Sequence, residues 1–87
     1  MQSTYTTQLL KEGDTYVAYS PEFDLSSCGD TVDAARRNLH QAVILFVQEA
    51  QRMGTLNSIL EEAGYRPKAD RWEAPEFIGV ERSALAF

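Results

Sequence analysis

The sequence predicts an α+β domain: a three- to four-stranded, largely antiparallel sheet with one long and one short helix packed on one face, in the order βββααβ. Three observations carry this. Two strand-like runs, Tyr5 to Lys11 and Tyr16 to Ser20, flank the polar, glycine-containing tetrad Glu12-Gly13-Asp14-Thr15, which has the length of a hairpin connection. Apolar residues then recur at spacings of three and four from Val32 to Met53 and stop at Gly54. A shorter stripe, Leu56, Ile59, Leu60 and Ala63, stops at Gly64, and Phe77, Ile78 and Val80 follow as a closing strand.

Each element has a local justification. In the hairpin, alternation places Tyr5, Thr7 and Leu9 on one face and Val17 and Tyr19 on one face of the partner strand, so the helices are expected on that apolar side. Pro21 cannot donate to a ladder and biases Ser20 toward extended geometry. The second strand should therefore end there, with Glu22 to Asp24 as an exposed connection. Leu25 to Cys28 makes a short, polar third strand suited to an edge or to meeting a partner.

Asp30 is expected to cap the long helix, with Asp33 in the first turn where the helix dipole favours an anion. Val32, Ala35, Leu39, Ala42, Val43, Phe46, Ala50 and Met53 form the stripe that faces the sheet, and Gly54 supplies the left-handed stop. Ile44, Leu45 and Val47 fall off that stripe, so one sheet cannot cover the middle of the helix. The second helix, capped by Thr55 and closed by Tyr65 over Leu60, is one cover. Self-association through Ile44 and Val47 is the other.

Tyr65 to Pro75 reads as a loop in which Arg66, Lys68 and Arg71 surround Asp70, too few and too mixed for a nucleic-acid arm. Within it, Trp72 either plugs a core edge or anchors an interface. In the closing strand, Gly79 allows a close backbone approach or a bulge. Leu85 and Phe87 extend the strand into an exposed apolar hook expected to dock on another subunit.

Composition bounds the function. At 87 residues the chain holds one domain, residues 1–87, which buries only about 60–65% of its unfolded surface. With 44% hydrophobic and 24% charged residues it is globular. The apolar run from Ala42 to Val47 is too short to span a bilayer, and the polar N-terminus shows no secretory signal, so a cytoplasmic location is expected. Thirteen acids against eight bases give a net charge of −5, which disfavours a phosphate-binding surface and suits a basic partner.

Catalytic and cofactor chemistry lacks its residues. Cys28 and His40 are the only cysteine and histidine, so neither a disulfide nor a zinc site can form within the chain. Asp14, Glu22, Asp24 and Asp30, the acids near the sheet, each have a local task in a turn, a connection or a cap. No glycine-rich phosphate loop, nucleophile elbow or Cys-x-x-Cys is present. The expectation is a protein that is not an enzyme and needs no metal or other cofactor.

The block Tyr16 to Ala35, YVAYSPEFDLSSCGDTVDAA, resembles the N-terminal core of the HicB family, the antitoxin half of HicA/HicB toxin–antitoxin pairs. The matching residues are Lys11-Glu12-Gly13-Asp14 leading into Tyr16-Val17-Ala18-Tyr19, then Pro21-Glu22, a polar strand ending in Gly29, and Asp30-Thr31 opening a helix that contains Ala35. Gly54-Thr55-Leu56 through Gly64-Tyr65, followed by Trp72, Pro75-Glu76 and a closing strand, resembles the tail of single-domain members, so that the two matches together run from about Tyr5 to Val80. Many members carry Cys-Pro-Glu-Leu-Pro-Gly-Cys, where this chain reads Ser20-Pro21-Glu22-Phe23-Asp24-Leu25, a shorter variant also found in the family.

The resemblance implies a partly RNase H-like sheet and a type II antitoxin that binds and occludes a small basic HicA-type mRNA-cleaving ribonuclease. Glu22, Phe23, Asp24 and Trp72 are the candidate partner-binding residues, and Ile44, Val47, Leu85 and Phe87 those for self-association into a homo-oligomer. No helix-turn-helix or ribbon-helix-helix domain follows the core, so direct DNA binding is not expected. The competing readings are an orphan interaction or dimerisation module with no toxin, a degenerate nuclease and a transcriptional autoregulator.

Overall fold

A computed structural model of the chain describes residues 2–87. Strands β1 (Gln8–Glu12), β2 (Thr15–Ser20) and β3 (Leu25–Gly29) precede two helices, α1 (Val32–Met53) and α2 (Leu56–Glu62). The strands form one antiparallel sheet in the order β1-β2-β3, and the class is α+β. A separate two-residue ladder joins β4 (Arg66–Pro67) to β5 (Trp72–Glu73). The β1–β2 connection narrows to Gly13-Asp14, because Glu12 pairs with Thr15, and Gly13 takes the positive φ of 60° that such a tight turn needs.

The helices cover the face of β2 opposite to the predicted one: Leu9 lies on the covered side, but across from it stands Ala18, and Val17 and Tyr19 point the other way. Directly paired residues share a face, so Leu9, Ala18 and Ser27 lie with Lys11, Tyr16 and Gly29, whereas Leu10, Val17 and Cys28 lie with Gln8, Tyr19 and Ser26. Ala18 and Ser20 have no exposed surface, and Ala18 joins Ala35, Leu39 and Val43 in the core. Close packing explains the inversion. A Cβ at Gly29 would sit 2.7 Å from the backbone nitrogen of Ala35 and 2.8 Å from Cβ of Ala34, so at this point of β3 only glycine lets the start of α1 approach, while Tyr16 and Leu25 pack at the core's margin. The helix supplies the bulk through Leu39 and Val43. The other face, with Leu10 about half exposed, is uncovered.

Along α1, the predicted stripe is buried at Ala35, Leu39, Val43 and Ala50 and runs out to solvent at Val32 and Met53. Its cap is Thr31 rather than Asp30: the Thr31 hydroxyl accepts a hydrogen bond from the Ala34 N–H at 3.0 Å. Asp33 occupies the first turn and binds Arg36 and Arg37 there. Gly54, at φ 74°, donates to the Gln51 carbonyl, and Thr55 N–H donates to that of Ala50, which is how a left-handed stop satisfies the last carbonyls.

Thr55 does not cap α2 through its side chain, contrary to expectation; its hydroxyl points back to the Ala50 carbonyl. Its own carbonyl accepts from Ile59 N–H, so α2 begins on a backbone bond alone. At the other end the expected closure forms: Tyr65 N–H donates to the Leu60 carbonyl at 2.9 Å, and both side chains are buried.

Two further differences concern the C-terminal third. The predicted loop Tyr65 to Pro75 contains the β4–β5 ladder, in which Arg66 pairs with Glu73 and Pro67 with Trp72. The predicted closing strand is not formed: residues 74–87 belong to no helix or strand. Phe77, Ile78, Val80, Leu85 and Phe87 are all exposed. A strand exists only where a neighbouring edge receives its ladder. These residues meet no such edge within the chain.

The N-terminal segment, by contrast, is fastened to the hairpin after the helices. Gln2 bridges Arg71, the Ser3 hydroxyl donates to the Trp72 carbonyl at 2.6 Å, and the Tyr65 hydroxyl donates to the Thr4 carbonyl at 2.6 Å. No described helix is long and apolar enough to cross a membrane.

Candidate interaction surface

Beside its sheet-facing stripe, α1 carries a second line at helical spacing, His40, Ile44, Val47 and Gln51. This line forms one wall of an open groove of about 920 Å³. Leu56 and Leu60 of α2 contribute to it, as do the N-terminal segment, Tyr65 and Trp72. The groove exists because α2 covers only one end of α1, while the N-terminal segment runs past on the other side.

An aromatic cluster sits where the groove meets the core. Phe23 lies 5.7 Å from Tyr65, nearly parallel at 15°, and packs at a tilt against Phe46 at 5.7 Å and Tyr5 at 6.4 Å. Tyr5 in turn stacks on His40 at 5.9 Å, and its hydroxyl shares a 2.7 Å hydrogen bond with His40 Nδ1. Burial pushes the Tyr65 hydroxyl up to about 12, with the negative charge of Glu22 adding to the effect, so this group remains a donor. Burial also raises Tyr5, partly offset by a hydrogen bond with Thr7.

The four predicted partner-binding residues separate into three environments. Glu22 is half-buried, and its Oε1 accepts from Thr6 N–H at 2.9 Å and from the Ser20 hydroxyl at 3.3 Å, so it fastens the N-terminal segment to the end of β2. Phe23 points into the aromatic cluster. Asp24 is exposed at φ 52°, a left-handed conformation that short polar side chains tolerate better than most, and accepts from the Tyr19 hydroxyl at 2.9 Å. That bond holds the Tyr19 hydroxyl above its ordinary range. The predicted exposed connection is therefore exposed at Pro21 and Asp24 but not at Glu22 or Phe23.

Trp72 is half-buried on the groove wall, in β5. Of the predicted self-association residues, Ile44, 42% exposed, and the half-buried Val47 also line the groove, while Leu85 and Phe87 lie in the unpaired C-terminal segment. One concavity thus brings together Phe23, Ile44, Val47 and Trp72, and it leaves out Glu22, Asp24, Leu85 and Phe87. Tyr5, His40 and Tyr65 were not among the sequence candidates for this surface. The spacing of His40 to Ile44, Val47 and Gln51 is the signal that marks His40 as part of the same face.

Cys28 is exposed on the uncovered sheet face, and its carbonyl accepts from Asn38 Nδ2 at 2.8 Å. Among the described residues no three His, Cys, Asp or Glu side chains converge as a metal site would require. Comparison with protein-family models, with curated proteins and with solved structures gives no match to this chain.

Proposed function

We propose that this protein is an antitoxin of the HicB type, which acts by covering a small basic ribonuclease and carries no bond-making machinery of its own. The observation that carries the reading is the block Tyr16 to Ala35, whose hairpin strand, Pro-Glu turn, polar edge strand and glycine-led helix start match the family's residues in order. The partly RNase H-like sheet belongs to the same reading. A close helix–sheet contact at Gly29 gives the glycine that ends the polar strand a physical reason to be there.

Occlusion is the mechanism this chain is equipped for. A ribonuclease surface built to attract phosphate also attracts carboxylates, and a chain of net charge −5 supplies them. Asp24 is the outermost charge of the candidate set. Trp72, half-buried in the groove, is the aromatic anchor that a partner would finish covering. Glu22 and Phe23 act from beneath, by holding the turn that presents Asp24.

Co-expression with the product of the neighbouring reading frame tests this reading, with stoichiometry and RNA cleavage measured in the presence and absence of the chain. Capture of a small basic ribonuclease and loss of its cleavage are expected. D24K should weaken capture and flatten its dependence on salt. If D24K neutralises as well as the parent at every salt concentration, Asp24 is not at the contact. A second reading, an interaction module with no toxin, is favoured by the apolar residues that line the groove, Ile44, Val47 and Leu56 among them. It prevails if no ribonuclease is captured.

A further inference from the structure

We infer that the groove along α1 is the receiving site for the C-terminal segment of a second copy of this chain, so that two chains exchange residues 76–87 reciprocally. The two halves of the contact are both present and both unsatisfied. The groove offers Val43, Ile44, Val47, Leu56 and Leu60 beside Trp72, and no other described segment of the chain covers Ile44, which is 42% exposed. The segment offers Phe77 at 52% exposure, Ile78 at 93%, Val80 at 68%, Leu85 at 80% and a fully exposed Phe87. Such a density of apolar side chains in twelve residues is unusual for a segment that remains in water.

The single chain does not use this segment on itself. Its radius of gyration is 14.8 Å, whereas a compact domain of this length has about 12 Å. Residues 74–87 form no ladder with either sheet edge. A second copy presents an identical groove, and an exchange related by a twofold axis covers both grooves at once. Each of the five side chains removes about 100 Å² of apolar surface from water on burial. With the groove surface that they cover, two exchanged segments bury roughly 1,600 Å², the size of a standard stable interface. The exchanged segment competes with the proposed ribonuclease for Trp72, which lines the same groove, and leaves Asp24, outside the groove, free for that partner.

The test uses the full chain, with mass measured by light scattering and sedimentation over a concentration series. The parent should weigh twice its 9.8 kDa chain mass. I78D/V80D in the segment and I44D in the groove should each halve that mass with helical circular dichroism unchanged. Both should shift the emission of Trp72, the one tryptophan, to the red. The decisive arm mixes the two variants: each pair retains one intact segment and one intact groove, so the mixture should regain mass that neither has alone. A parent that is monomeric at its highest soluble concentration overturns the inference, as does a dimer that survives I78D/V80D. So does a monomer whose Trp72 emission depends on Ile78 and Val80, since the segment would then be folding onto its own groove.

Discussion

Gly29→Ala is the substitution that most directly tests how the helix sits on the sheet. The added methyl would lie 2.7 Å from the Ala35 nitrogen, 2.8 Å from Ala34 Cβ and 3.0 Å from the Ala34 carbonyl carbon. The first and last of these are backbone atoms in the opening turns of α1, which no rotamer change can move. Either the helix start lifts from β3 or the strand bends, and overpacking of this kind costs about 1–3 kcal/mol. Backbone involvement places Gly29→Ala in the upper half of that range. For a domain of this size each kcal/mol moves the melting temperature by about 4–8 °C, so a fall on the order of 10–20 °C is expected. Thermal unfolding followed by circular dichroism, at one fixed protein concentration, measures it. Ser26→Ala, exposed on the uncovered face of the same strand, is the control and should melt with the parent. If Gly29→Ala also melts within about 2 °C of the parent, the change is a surface-sized effect and the close approach of α1 to β3 is wrong.

Thr31→Ala should cost about 1 kcal/mol by leaving the Ala34 N–H without its acceptor, whereas Asp30→Ala should cost clearly less; denaturant unfolding of the two variants side by side checks the assignment of the cap. Tyr65→Phe removes the 2.6 Å bond to the Thr4 carbonyl and should cost about 0.5–1.5 kcal/mol in the same assay. The pH dependence of that site has a definite sign. Tyr65 titrates at about 12 in the folded chain, above its ordinary value of 10.0. Its contribution is therefore complete below pH 10 and is lost as the pH rises from 10 to 12, because the unfolded chain releases the proton first. Melting temperatures across that interval should fall more steeply for the parent than for Tyr65→Phe, and parallel curves would refute the assignment.

The parts of the fold that are local in sequence were legible: the hairpin, the extent of α1, the left-handed stop at Gly54 and the closure of Tyr65 onto Leu60 each depend on residues within a few positions. The burial face of β2 was not, because both faces of the strand carry a tyrosine and bulk was taken as the mark of the interior. At a tight helix–sheet contact the interior side carries the small residues, Ala18 and Ser20, and the helix carries the large ones. The caps were misread for a related reason. Asp30 and Thr31 are adjacent and both able to cap, so the decision rests on a single residue of helix register. For the candidate surface, the excess apolar width of α1 at Ile44 and Val47 was visible as periodicity. That Phe23 turns inward, and that Glu22 ties down Thr6, depends on contacts across 16 or more positions that no spacing rule conveys.

The fastening of Thr4 by Tyr65, and of Ser3 by Trp72, joins positions 61 and 69 apart. On a ribosome that adds about 5–20 residues per second, the first few residues must wait several seconds for their acceptors and donors to be made. The β-hairpin and much of α1 can assemble during that interval and hold Tyr5 and Thr6, but Ser3 and Thr4 stay untethered until the segment after the second helix has emerged. Ligand-independent trimming by proteases at the leading end should therefore be confined to nascent or partly assembled chains and cease once Tyr65 and Trp72 have left the ribosome and folded back.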